Sequence, residues 1–430
     1  MAKNWDTSGI RLPPDTDMRN TRPAITLFLA ATTLLVAASG AQAESLTDQL
    51  VSSVKASTVN LGFRYRFEAV DEDAFEKEAW ASTLRGRLTV APQPVNGFGV
   101  LLEVDDVLHI GAENYNDTRD GVLDRPLVAD PEGVDLNQAL LRYTGFAGTD
   151  IVIGRQRINL NNQRFVGGVA WRQNEQTFDS ASIVHRFNDR LSTSYAYISR
   201  VKRIYGPDNG TPPEALDSNT HLFDASYAFG PALTLAAYSY LMDFDNADNL
   251  SNETFGLRAT GGAEIVTGWK GAYALEYAHQ SEYAENPVNY DAGYYLLEAG
   301  ISADRIGFKL GYEVLDGNNT AAASAFRTPL ATLHAFQGWA DKFTTTPDRG
   351  VEDLYFAVTG KALGADLLVR AHNFQAEAGS SNGNWGTEFD FSATWPIARQ
   401  YTVGLKGATY NADDFSTDTS KYWVVLTAVF

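Results

Sequence analysis

The chain has 430 residues, 44% hydrophobic, 12% aromatic and 20% charged, with a formal net charge of −19 and no cysteine. Lack of cysteine excludes a disulfide scaffold, a thiolate zinc site and a cysteine nucleophile. The acidic balance lacks the clustered Lys/Arg surface that nucleic-acid phosphates require, and the aromatic content and long alternating runs exclude an acidic disordered chain.

The first element is an address. Ala24 to Ser39 form an uncharged apolar run, preceded by Arg19 and Arg22 and followed by Ala41-Gln42-Ala43. A basic n-region, a short apolar h-region and an A-x-A site predict a secretory signal peptide cleaved after Ala43. The rival, a transmembrane anchor, needs about 20 apolar residues. Residues 1–43 are therefore read as an N-terminal extension plus signal peptide, with Met18 an alternative start. Residues 44–56 form a short periplasmic lead-in, and 57–430 a single barrel domain.

From residue 57 onward the chain is a succession of segments with period-2 hydrophobicity, the signature of half-buried strands. Leu61, Phe63, Tyr65 and Phe67 alternate with Gly62, Arg64, Arg66 and Glu68; Phe308, Leu310 and Tyr312 alternate with Lys309, Gly311 and Glu313. Eighteen strands are expected, near 57–69, 79–91, 97–107, 134–147, 149–159, 176–187, 190–204, 219–229 and 232–244, then 252–263, 267–281, 289–303, 305–316, 351–361, 364–376, 385–396, 399–411 and 421–430. Many are longer than the globular mode of about 5–6 residues. Short connections alternate with long ones, as in an outer-membrane barrel with short periplasmic turns and long extracellular loops. Residues 325–337 could form a nineteenth strand, but an even count assigns 317–350 to one long loop, the best candidate for folding into the mouth or lumen. The final strand ends on Phe430, a pattern suited to handling by the barrel assembly machinery. The fold class is thus all-β, a transmembrane antiparallel up-and-down barrel.

If the apolar faces meet lipid, the alternate residues face the lumen, because charge on the lipid side costs about 2–4 kcal/mol at mid-depth. The inward basic set is Arg64, Arg66, Arg85, Arg87, Arg142, Arg200, Lys202, Arg258, Lys270, Lys309, Arg370 and Lys406. The inward acids are Glu68, Glu103, Asp105, Glu276, Glu298, Glu313, Asp366, Glu388 and Asp390. Guanidinium groups along a pore can hold anionic or hydroxyl-rich solutes through paired hydrogen bonds. Cross-strand ion pairs that stiffen a water-filled barrel are the other explanation of the same residues.

The densest polar block is Gly154 to Asp179, GRQRINLNNQRFVGGVAWRQNEQTFD, with Arg155, Arg157, Arg164 and Arg172. A segment this polar cannot face lipid, so it lines the upper lumen or folds into it. This block, together with AFRTPLATLHAFQGWADKF at Ala325 to Phe343, resembles the alginate-export family of outer-membrane channels. The resemblance covers about 57–430 and implies an eighteen-stranded monomeric barrel with an Arg-rich constricted pore. It also implies pore-constricting or substrate-contacting roles for Arg155, Arg157, Arg164 and Arg172. The near balance of inward basic and acidic residues departs from a strongly cationic conduit for a polyuronate.

No catalytic, metal or cofactor site is expected. The six histidines are scattered, and His185 after Ser182 is the nearest approach to a nucleophile–base pair. Acidic loops at Asp71-Glu72-Asp73 and at Asp413-Asp414 with Asp418 offer oxygen ligands for calcium, although solvated acidic loops explain them as well. Lipid and lipopolysaccharide are the expected surroundings. The leading functional expectation is a porin-like channel for hydrophilic, anionic or carbohydrate-like solutes through an Arg-bearing constriction. Its rivals are an exporter of an anionic polysaccharide and a plugged structural or adhesive barrel. The nine external loops together carry −17, and only 160–175 and 317–350 are net positive. The acidity is therefore an outer crown, and the two exceptions point toward the pore.

Overall fold

A computed structural model describes residues 43–111, 113–318, 322–379 and 383–430. The apolar run read as a signal peptide lies outside the described residues. The chain divides into two units between Ser52 and Ser53, of which the second, Ser53–Phe430, is compact. Helix α1 (Ala43–Lys55) occupies the stretch read as a short lead-in, for which no helix was expected. Leu46, Leu50 and Val54 recur every fourth residue, the spacing of a helical stripe, and Lys55 sits where the C-terminal end of the helix dipole favours a cation.

The second unit is built from eighteen strands. They are β1 (Thr58–Glu72), β2 (Ala79–Ala91), β3 (Phe98–His109), β4 (Gly133–Tyr143), β5 (Thr149–Gln156), β6 (Thr177–Arg186), β7 (Leu191–Lys202), β8 (Ala215–Gly230) and β9 (Leu233–Met242). They continue as β10 (Asn252–Val266), β11 (Trp269–Glu282), β12 (Asp291–Ser302), β13 (Ile306–Leu315), β14 (Val351–Ala362), β15 (Ala365–Gln375), β16 (Asn384–Pro396), β17 (Tyr401–Ala412) and β18 (Thr419–Val429). Each pairs antiparallel with the next, and β18 returns to β1 with Gly62 opposite Val429 and Glu72 opposite Thr419. Closure leaves no unpaired strand edge, the condition for a sheet to cross lipid.

Burial follows the alternation with inside and outside reversed relative to a soluble sheet. Val59, Leu61 and Phe63 are exposed on β1, whereas Arg66 and Glu68 are buried. Leu257, Leu297, Leu310, Phe356 and Leu426 extend the exposed apolar band around the barrel. This is the lipid face of an outer-membrane β-barrel. Short turns use the geometry that strand twist favours. Between β14 and β15, Leu363 (φ 53°) and Gly364 (φ 79°) are both left-handed, as a two-residue hairpin turn of this type requires.

Several boundaries differ from the expectation by three or four residues, β1 running on to Glu72 and β10 to Val266. β4 stops at Tyr143, and β8 begins earlier, at Ala215. β5 stops at Gln156 rather than 159, because the chain leaves the ladder there and turns inward. Residues 325–337 form no strand of the barrel, and the only helical turn among the described residues of that loop is Leu333–Ala335. The principal apolar cluster lies inside the barrel. Phe165, Val166, Phe326 and Leu330 from loops pack there with Tyr238, Tyr240, Tyr294, Phe374 and Trp423 from the wall.

Candidate functional site: the lumen and its inward segments

Two segments occupy the lumen. One joins β5 to β6 and the other joins β13 to β14. They meet as a short parallel bridge at Val166 and Leu330. The Gly167 amide donates to the Leu330 carbonyl at 2.9 Å, and the Thr332 amide to the Gln163 carbonyl at 3.0 Å. Gln176 Nε2 donates to the Gly167 and Leu330 carbonyls at 2.8 and 3.0 Å. These bonds satisfy backbone groups that would otherwise lie inside the barrel without ladder partners. Apolar contact supplies the rest. The Phe165 ring lies 5.2 Å from Tyr294 and 5.7 Å from Phe326, edge-on or tilted.

The sequence-derived arginines fall into three groups. Arg64, Arg66, Arg85 and Arg87 line adjacent strands β1 and β2, with Arg64 directly opposite Arg85. They reach the first inward segment. Arg64 donates to Gln173 Oε1 at 3.0 Å and to the carbonyls of Ala170 (2.9 Å) and Arg172. Arg66 binds the Trp171 carbonyl at 2.5 Å and pairs with Asp130. Arg85 meets the Gln173 carbonyl at 3.3 Å and Glu175 at 3.7 Å. Arg87 grips Asp105 through two bonds of 2.6 Å and Glu175 through one of 2.7 Å.

The block arginines form the second group. Arg155 makes a bidentate pair with Asp179, its register partner on β6, at 2.7 and 2.9 Å. Arg157 bridges Glu103 and Glu175, the latter at 2.5 Å. Arg172 lies 3.2 Å from Glu68 and 3.4 Å from Asp341. Arg164 departs from its expected place on the pore surface. Its side chain is 1% exposed, bonds Glu313 at 2.7 Å and stacks 4.9 Å over Phe336. It pins the first segment to β13 and is screened from any solute in the lumen.

The third group is on the wall. Arg258 pairs with Glu276, and Arg370 with Asp390 at 3.0 Å. Lys202 pairs with Asp135 at 3.1 Å, and Arg200 with Glu214 and Asp217 at 2.8 and 2.9 Å. Arg142 sits near the short turn joining β4 to β5, paired with Asp150 and 55% exposed. Its position removes it from the narrow part of the lumen.

Glu175 and Asp130 organise the lumen without a signal of their own in the sequence, and Lys406, placed inward by parity, has partners the sequence did not indicate. Glu175 is the carboxylate shared by Arg87 and Arg157. Burial alone would raise its pKa, but those two guanidiniums hold it at about 2. Asp130, from the β3–β4 loop, accepts from the Gln173 amide at 2.8 Å as well as pairing with Arg66. Lys406 on β17 stands among the indoles of Trp171, Trp339 and Trp423, with Nζ 4.2, 3.5 and 5.2 Å from their ring centres. It donates to His334 Nε2 at 2.6 Å, and His334 Nδ1 donates to Asp341 at 2.7 Å. Burial, with Lys406 acting in the same direction, pushes His334 down to about 3 against the pull of Asp341, so the ring is neutral. Burial would raise the Asp341 carboxyl, but His334, Lys421 and Arg172 hold it well below its usual range. The tip of the second segment passes so close to the wall that Gly338 (φ 80°) has no room for a side chain. A Cβ there would lie 2.2 Å from the Glu388 carboxylate.

At the short-turn end, under Phe336 and Gln337, a cavity of about 940 Å³ remains between this tip and the wall. Arg258, Lys270, Lys309 and Arg370 line it together with Glu298 and Tyr355. The other expected features separate. Ser182 donates to Gln156 at 3.1 Å and His185 Nδ1 meets Thr149 at 2.8 Å, so the two are not a nucleophile–base pair. The acidic loops at 71–73 and 413–418 are joined by the Asp73 amide donating to the Asp418 carbonyl at 3.0 Å.

A family profile described as Alginate export matches residues 56–299. No curated protein matches the chain. Among solved structures, OccAB4 of Acinetobacter baumannii superposes with a TM-score of 0.69 at 13% identity, over 87% of this chain and 98% of that one. OpdL of Pseudomonas aeruginosa gives 0.66 at 16% identity, over 87% and 99%. OpdK of Pseudomonas aeruginosa, solved with vanillate, gives 0.67 at 13% identity, over 88% and 99%. The likeness to these structures shows a shared barrel fold. The chain belongs to the alginate-export family and is an outer-membrane β-barrel.

Proposed function

From that membership we propose that the protein passes small hydrophilic anions, carbohydrate acids among them, by diffusion through an Arg-bearing constriction. The observation that carries this reading is the direct cross-strand pairing of Arg64 with Arg85. Like charges opposite one another are destabilising in a sheet. Arg64 donates to neutral acceptors and makes no ion pair among the described residues, which leaves its charge without a carboxylate counterpart. The cavity toward the periplasm adds Lys270, which forms no ion pair among the described residues, and its volume falls in the range that holds a small solute. The carboxylate in the name of the OpdK ligand is of the same chemical class.

Export of an anionic polymer, the activity for which the family is named, needs a bore wide enough for a chain. Two inward segments bonded to each other across Val166 and Leu330 favour a small solute instead. We assign no catalytic step, and we place assembly recognition in β18, where Phe430 is bonded to Leu61 at 2.9 and 3.0 Å. The test is flux into proteoliposomes of a sugar acid against a neutral sugar of equal size. The acid should enter faster, and a double Arg64→Gln, Arg85→Gln variant should lose that preference. Equal entry of both sugars through the unmodified protein would refute the charge-selective reading.

A further inference from the structure

We propose that His109 at the end of β3, with Glu113 and Glu132 of the extracellular connection to β4, forms a binding site for a divalent transition-metal ion of the zinc type. His109 Nδ1 lies 3.1 Å from a Glu113 oxygen and 4.0 Å from a Glu132 oxygen. The three ligand atoms all lie within 4.8 Å of one another. A tetrahedral ion bonded at about 2.0–2.2 Å spaces its ligands roughly 3.3–3.6 Å apart. The observed separations bracket that spacing.

The histidine supplies the observation that acidic side chains alone could not. Its side chain is only 6% exposed, yet Nδ1 has no hydrogen-bond partner. The other ring nitrogen, Nε2, faces the Asp130 carbonyl at 3.4 Å, an acceptor only, which favours the tautomer with the proton on Nε2. In that tautomer the Nδ1 lone pair is directed at two carboxylates. Three electron-rich atoms facing one another call for a positive charge between them, which a metal ion supplies. A backbone carbonyl holding the distal N–H of a histidine is also the arrangement that fixes a ligating tautomer. The ring is further held by edge contact with Tyr115 at 5.4 Å. Both glutamates reach solvent, which leaves the remaining coordination position to water. Imidazole with two carboxylates suits zinc over calcium or magnesium, whose sites are built from oxygen.

The site is linked to the lumen through one residue. Asp130 holds His109 through its carbonyl, and holds Arg66 and the Gln173 amide through its carboxylate. Metal binding would thus brace the loop that anchors the first inward segment. This inference stands whatever solute the channel carries.

The experiment is calorimetric titration of the full-length protein in detergent with zinc chloride, with magnesium chloride as control. One zinc site is expected, undiminished by magnesium. His109→Gln should abolish it, and Glu132→Gln should weaken it at least about tenfold, since even residues outside the ligand set cost 10–100-fold. Glu132 is exposed at the surface, so its variant should fold; heat-modifiable migration checks this for both proteins. Absence of stoichiometric zinc uptake would overturn the proposal, as would unchanged affinity in the Glu132 variant.

Discussion

The most informative single change is Arg164→Ala. Arg164 is buried, its Nε 2.7 Å from Glu313, which also accepts from Tyr294 at 2.8 Å. Removing the guanidinium leaves a carboxylate inside the barrel without its counter-charge, and breaking a buried pair this way costs about 3–5 kcal/mol. The wall strand that carries Glu313 is fixed by its ladder, whereas the segment that carries Arg164 is held by side-chain contacts and the Val166–Leu330 bridge. The penalty therefore falls on docking of the segment. At about 1.4 kcal/mol per factor of ten, it shifts the balance between docked and released segment by roughly 10²–10⁴-fold. Single-channel recording in planar bilayers should show larger or noisier conductance. A double Arg164→Ala, Glu313→Ala variant should recover part of the quiet behaviour, because no stranded charge remains. If Arg164→Ala folds as a heat-modifiable barrel and conducts like the unmodified protein, the segment is not held by this pair.

Other predictions follow from the same packing. Gly338→Ala would place a methyl carbon on the Glu388 carboxylate at a left-handed backbone position, so it should displace the loop tip and raise open-channel noise; unchanged traces would show that the tip is not constrained there. Glu175 is depressed from 4.5 to about 2, so its anchoring of the first segment is fully present above about pH 4.5 and lost as the pH falls through about 2. Conductance noise should therefore rise between pH 4 and 2, and a Glu175→Gln variant should show that noise already at neutral pH. Deleting Phe430 removes its ring contact with Tyr401 and its two backbone bonds to Leu61, and should lower the heat-modifiable fraction in cells without abolishing refolding in detergent.

The barrel was legible because period-2 alternation is imposed residue by residue. Once lipid is outside, Phe63 and Arg64 cannot exchange faces, and eighteen strands with alternating turn lengths follow. What the alternation does not encode is which inward side chains meet. Arg155 finds Asp179 through the β5–β6 register, but Arg66 finds Asp130 from a loop some sixty residues away. Arg164 sits in the same polar block as Arg157 yet is buried, because Phe165 beside it pulls the segment onto Tyr238 and Tyr294. Those tyrosines face inward, whereas the inward residues named from parity were charged ones. Lys406 was placed inward by parity. Its cage of three indoles joins strands β17 and β18 to both inward segments, a meeting visible only once the loops are folded in. Helix α1 was overlooked because the lead-in is short and its stripe holds only three apolar positions.

The proposed anion selection rests on the guanidinium of Arg64 on β1, which makes no ion pair among the described residues and stands opposite Arg85 of β2. The reversal potential of the reconstituted channel under a potassium chloride gradient measures this directly. A chloride-selective sign is expected for the unmodified protein, with loss or reversal of that selectivity in a double Arg64→Glu, Arg85→Glu variant. A cation-selective channel, or selectivity untouched by that double reversal, would contradict it.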